Sequence, residues 1–140
     1  MSYLLDTCSI SEMVAVKPNQ NVLDWFEHQS EETLYLSVVT SGEIQKGIYQ
    51  LPSGKRRLQL ELWFFDELLP TFHGRILSID ERLITTWAKM LAGLKSKALI
   101  RPSLDSMIEA TALQHNLILV TRNEKNFRDS DVSVFNPWDE

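Results

Sequence analysis

The sequence predicts an α/β fold in three layers, α/β/α, around a central parallel sheet of about four to five strands. Two observations carry that expectation. Short apolar stretches of strand-like composition recur along the chain, and three of them are almost continuously apolar, as strands buried on both faces of a parallel sheet are. Between them lie segments with apolar residues at helical spacing, and strands alternating with helices imply right-handed βαβ units. One domain is expected over residues 1–140: the length suits a single core, and no repeat, linker or low-complexity segment divides it.

Taken in order, Tyr3–Leu5 is the first expected strand, and Val22, Trp25 and Phe26 mark a short amphipathic helix. Leu34–Val39 is the second strand, and the helix from Glu43 to Leu51 carries Ile44, Ile48 and Leu51 on one face. A helix from Leu58 to Leu69 is ended by Pro70. Ile76–Ile79 is the third strand. The longest helix runs from Arg82 to Leu99, its buried stripe formed by Leu83, Trp87, Met90, Leu91 and Leu94. After Pro102 another helix places Met107, Ile108, Ala110, Thr111 and Leu113 on or near its inner face. Leu117–Val120 and Val132–Phe135 complete the sheet. The run Leu60 to Phe65, with Leu68 and Leu69, is apolar around much of the helix girth. Core packing accounts for half of it, and the rest reads as a surface for a partner.

In such folds reactive groups gather beyond the carboxyl ends of the strands, where strand order reverses. Asp6 ends the first strand, Glu43 opens the helix after the second, and Asp105 opens the helix after Pro102. Three carboxylates from distant parts of a chain rarely stay close unless a cation offsets their repulsion. Hard oxygen ligands suit Mg²⁺ or Mn²⁺, which bridge to a substrate phosphate. A structural reading stands beside each acid. Thr40-x-x-Glu43 forms a capping box, Ser103 can cap a helix with Asp105 in its first turn, and Asp6 before Thr7 and Ser9 can be a turn and cap. From the residues alone both readings stay open.

Composition sets further bounds. With 44% hydrophobic and 24% charged residues the chain is globular rather than disordered. No apolar run approaches the ~20 residues that span a bilayer, and the opening residues lack the basic start of a signal peptide. The single cysteine, Cys8, has no disulfide partner within the chain, so a cytoplasmic location is expected, with no membrane association. Cys8 reads as a small buried residue rather than a nucleophile, and His28, His73 and His115 share no zinc-ligand spacing. The net charge of −5 argues against nucleic-acid binding. Carboxylates gathered on a cation weaken that objection. Lys55, Arg56 and Arg57 form one basic cluster and Arg122 lies elsewhere; all four are candidate RNA contacts, although a basic cluster at a helix start is most often only solvated.

Local strings also resemble a known family. Leu4-Leu5-Asp6-Thr7-Cys8 resembles the opening hydrophobic-Asp-Thr signature of PIN domains, among them the VapC-type toxins of toxin–antitoxin pairs. The stretch from Ser37 to Ile48 resembles the second block, with Glu43 and Gly47 in register. Leu104 to Leu113 resembles the third, Leu119 to Phe127 the fourth, and Val134-Phe135-Asn136-Pro137-Trp138 the close. The ordered set spans nearly the whole chain and is far more specific than any one block.

The resemblance implies a PIN-domain-like fold and a divalent-metal-dependent endoribonuclease toxin. Asp6, Glu43 and Asp105 would be catalytic acids holding Mg²⁺ (or Mn²⁺), with Thr7 and Thr121 in support. It also implies an RNA substrate, a cognate antitoxin in a hydrophobic groove, a homodimer, and contact with DNA only through the antitoxin. The fourth block departs from the pattern: Asn123 and Asn126 stand where relatives usually place an acid, so either would hold a metal only through water. That departure motivates an alternative, a catalytically weak or inactive PIN module acting mainly as a binding partner of its antitoxin. A nuclease acting on DNA ends is a third reading, which the small size disfavours.

Overall fold

The computed structural model describes residues 1–139. Five strands, β1 (Tyr3–Leu5), β2 (Leu34–Ser37), β3 (Ile76–Leu77), β4 (Ile118–Val120) and β5 (Val134–Phe135), pair in parallel in the order β3-β2-β1-β4-β5. Helices α1 (Thr7–Ser11) and α2 (Gln20–Glu27) lead from β1 to β2. The connection to β3 holds α3 (Val38–Tyr49), α4 (Lys55–Leu62), a π-wound segment (Trp63–Leu68) and α5 (Leu69–Thr71). The long α6 (Glu81–Ser96) and α7 (Ser103–His115) lead to β4. The expected α/β fold, with helices on both faces of a parallel sheet, is the one observed.

Each face of the sheet closes its own core. Leu5, Leu36 and Val120 join Ile44 and Ile48 of α3, Phe64 and Leu68 of the π-wound segment, and Phe72. Leu4 and Leu119 face the other way, onto Ile108 and Ala112 of α7 and onto Phe127. Successive residues in a strand point to opposite faces, so a strand covered on both sides needs apolar residues without alternation. That is why Tyr3–Leu5 and Ile118–Val120 read as unbroken apolar runs. Burial of each such Leu or Val contributes ~1.5–3 kcal/mol.

α3 begins at Val38 rather than at Glu43, and it takes Val38 and Val39 out of the expected second strand. Its N-cap is Ser37, whose Oγ accepts the Val39 amide at 3.1 Å. The capping box expected from Thr40 to Glu43 is therefore not formed. Thr40 is buried, and its hydroxyl has no hydrogen-bond partner among the described residues. Burial of the Thr40, Ile44 and Ile48 stripe outweighs the strand preference of two adjacent valines. α7 is capped at Pro102, with Ser103 already helical, so Ser103 is not the cap either. Pro70 does not end its helix. It lies in the first turn of α5, where a missing amide is tolerated. The first strand has its expected bounds, the last three shorten at one end, and the longest helix stops at Ser96, before Leu99. Of the apolar run, Phe64 and Leu68 are buried and Leu60, Trp63 and Leu69 pack against the same core, while Leu62 and Phe65 stay exposed, so more than the expected half of it serves the core.

Candidate functional site

The chain moves outward from β1 to β2 and β3, then crosses to β4 on the other side of β1. Strand order thus reverses between β1 and β4, and the crevice of the sheet opens at their carboxyl ends. Asp6 and Thr121 are the first residues beyond those two strands. The Asp6 amide donates to the Val120 carbonyl at 3.1 Å, and the Thr121 hydroxyl donates to Asp6 Oδ2. Asp6 Oδ1 accepts the amides of Cys8 at 2.9 Å and Ser9 at 3.3 Å, and the Cys8 thiol as well. Asp6 is thus the N-cap of α1, as the structural reading expects, and its carboxylate also lies at the crevice floor.

Glu43 reaches the crevice from the second turn of α3, where Thr7 Oγ1 donates to its Oε1 at 2.7 Å. Asp105 reaches it from the first turn of α7, and Asn126 Nδ2 donates to its Oδ2 at 3.4 Å. Burial raises the Asp105 carboxyl above its ordinary value, and the charges of Glu43 and then Asp6 push it further, while the Asn126 amide pulls it back. The charges of Glu43 and Asp6 are thus both felt at Asp105. Of the two asparagines, Asn126 touches an acid, whereas Asn123 donates its backbone amide to Thr121 Oγ1 at 3.0 Å.

The basic candidates separate. Arg122 donates its amide to the Cys8 sulfur, and its guanidinium lies 5.9 Å from the centre of the Trp138 ring. Arg57 is occupied by Glu61 at 2.9 Å and lies against Tyr49. Arg56 donates to the Val14 carbonyl at 2.8 Å, and Lys55 is exposed at the start of α4.

A divalent cation is tested against these donors by their chemistry. Among the described residues no group of three or more His, Cys, Asp or Glu side chains stands drawn together as ligands. Each acid is turned instead to its own donor, Thr121, Thr7 or Asn126. The donor set is nonetheless all oxygen, and Asp105 is raised by the charges of Glu43 and Asp6. A hard cation satisfies such a set and imidazole or thiolate ligands do not enter it. Mg²⁺ or Mn²⁺ fits these residues.

Two features escaped sequence reasoning. Arg101 and Glu109 form an ion pair at 2.9 Å with both side chains almost wholly buried, and Arg101 also donates to the Arg128 carbonyl. The available signal was an acid on the inner face of α7, one residue from Ile108 and four from Asp105. Cys8 is the other. Its thiol is pushed up to about 12, by burial first and then by the Asp6 charge, so it remains a neutral donor. Only its adjacency to Asp6 hinted at that role.

An acidic crevice at the switch point of a parallel α/β sheet defines the class. Residues 3–132 match the PIN domain, and the chain belongs to the PIN-domain family. It is 38% identical over 135 residues to the toxin FitB of Neisseria gonorrhoeae, covering 96% of this chain and 97% of that protein. It is 35% identical over 136 residues to the VapC ribonuclease Y4jK of Sinorhizobium fredii, covering 97% of each. A structure of FitAB bound to an IR36 DNA fragment contains a chain that superposes with a TM-score of 0.93 at 37% identity, covering 97% of this chain and 95% of that one.

Proposed function

We propose that this chain is a divalent-metal-dependent endoribonuclease, the toxin of a toxin–antitoxin pair. The observation that carries the reading is that Asp105 feels the like charges of Glu43 and Asp6, acids carried by two other elements distant in the chain. The names of its relatives, toxin FitB and VapC ribonuclease, support it. Bound Mg²⁺ or Mn²⁺ would supply Lewis acidity to a phosphate oxygen and lower the pKa of an attacking water. The chain supplies the rest. Asp6, Glu43 and Asp105 would hold the cation, Thr121 and the Cys8 and Ser9 amides fix Asp6, and Thr7 fixes Glu43. Asn126, beside Asp105, would orient a water through its amide without adding charge.

The partners follow the same reading: an RNA substrate, a cognate antitoxin, a second copy of the chain, and DNA only through the antitoxin. The exposed Leu58, Leu62 and Phe65 offer an apolar surface for one of the protein partners. No helix among the described residues is long and apolar enough to cross a membrane, and the site of action is proposed to be the cytoplasm.

A second reading, a catalytically weak module that mainly binds its antitoxin, is favoured by Asn126 standing where a fourth acid would complete the donor set. One experiment separates the two. Purified protein is incubated with total RNA in EDTA, Mg²⁺ or Mn²⁺, beside Asp105→Asn and Asp6→Asn. Cleavage should require metal and fall about 100-fold or more in Asp105→Asn, since even residues supporting a metal site cost 10–100-fold. Metal-independent cleavage would sink the metal dependence, and full activity in both variants would sink the assignment of the site to these acids. No cleavage under any condition favours the binding module.

A further inference from the structure

A cavity of about 290 Å³ adjoins the acidic crevice, with Thr7 and Glu43 on one edge and Ile44, Gly47, Leu60 and Trp63 within. We infer that this cavity takes a nucleobase of single-stranded RNA next to the scissile phosphate, stacked on Trp63. The inference rests on the nuclease reading and adds a specificity element to it.

Three observations converge. The cavity shares Thr7 and Glu43 with the crevice, so its occupant lies beside the reacting phosphate. Its volume sits near the lower bound for small-molecule pockets, about 300 Å³, which suits one ring system rather than a helix. Its lining joins an indole to aliphatic side chains, the kind of surface on which bases stack without sequence-specific hydrogen bonds. Charge completes the match, because Arg56 bonds the carbonyl of Val14, a residue of the cavity lining, and so holds a guanidinium at the rim for the neighbouring phosphate. The placement of Trp63 is itself unusual. It opens the π-wound segment Trp63–Leu68, whose widened turn buries Phe64 and Leu68 and leaves Trp63 half-buried at the cavity; π-bulges of this kind recur at functional sites.

Binding is measured on the Asp105→Asn chain in Mg²⁺, so that no strand is cut. The probe is a fluorescent decaadenylate, compared with the same strand carrying one abasic nucleotide moved stepwise along it. Trp63→Ala added to this chain should weaken binding of the intact strand about 5- to 160-fold, the scale of one lost stack. At one abasic position the same change should cost nothing, and Trp63→Phe should retain most of the affinity. Circular dichroism and Tm confirm that the variants fold. Equal loss on every strand, or no loss on any, overturns the inference. Unchanged RNA binding in Trp63→Ala together with escape from antitoxin inhibition assigns the cavity to a protein side chain and also overturns it. Failure of both the Asp105→Asn chain and the wild-type chain in EDTA to bind the intact strand removes the nuclease reading and this inference together, whereas RNA binding without base dependence removes this inference alone.

Discussion

The two ends of the acidic crevice are built on opposite principles. At the β1–β4 end, Asp6 is 8% exposed and every oxygen it presents is met by a donor: two amides and a thiol on Oδ1, a threonine hydroxyl on Oδ2. At the α7 end, Asp105 has one amide at 3.4 Å and two facing negative charges. The first carboxylate is satisfied by the fold. The second is held against its own electrostatics by the helix that carries it, and a cation would relieve it. The folded chain thus contributes position at one end and stored repulsion at the other.

The largest expected effect lies in what holds the α7 end. Glu109 sits one turn beyond Asp105, and its pairing with Arg101 also ties down the Arg128 carbonyl. Glu109→Ala leaves a guanidinium buried without its partner, and chemical denaturation should show a loss of about 3–5 kcal/mol. Replacing both members, Arg101→Met with Glu109→Leu, should recover most of that stability, because the pair itself adds little net energy beyond its desolvation cost. A single variant as stable as wild type would mean that the ion pair does not anchor α7.

The other end should break more gently. Thr121→Val keeps the volume of a fully buried side chain but removes the donor to Asp6 and the acceptor for the Asn123 amide. A charge-assisted hydrogen bond is worth about 1.5–3 kcal/mol, and a loss of that size is expected in the same measurement. An unchanged midpoint would show that the Cys8 and Ser9 amides hold Asp6 unaided.

The contrast between the ends also marks what could be read in the sequence. Asp6 was legible because a strand end and a cap are both local: Leu4-Leu5-Asp6-Thr7 states the fully buried strand, the N-cap and the neighbouring hydroxyl in one string. The sheet was legible for the same reason, since burial on both faces writes itself as an apolar run. Glu43 was read at the opening of its helix, which in fact begins five residues earlier, at Val38. Val38 and Val39 are strand formers by propensity, and only burial of the α3 stripe against the core makes them helical. The ion pair beneath Asp105 was hidden because Arg101 lies in an irregular linker eight residues from Glu109, a spacing that no helical or strand period brings together. Nor did the sequence announce that Trp63 opens a π-wound turn. There the apolar content was plain but the direction of the side chain was not.

The smallest effect has the most informative sign. Asp105 keeps its proton to higher pH in the folded chain than in the unfolded one. Below the unfolded value of 3.8 both states are protonated and the residue contributes nothing to pH dependence. As pH rises from there through the raised folded value, the unfolded state ionises first, so stability falls, and above that the penalty is constant. Asp105→Asn removes this penalty while retaining a side chain that Asn126 can meet. In EDTA at pH 7 it should therefore melt above wild type, with the gap closing as pH falls toward 3.8. Asp6→Asn should melt below wild type at pH 7, because a neutral amide accepts less strongly from the Cys8 and Ser9 amides and from Thr121. Added Mg²⁺ should then raise wild type alone, since only a chain with its acids intact gains stability from the bound ion. If both variants shift in the same direction in EDTA, the two ends do not differ as described, and the repulsion at Asp105 is already dissipated by solvent.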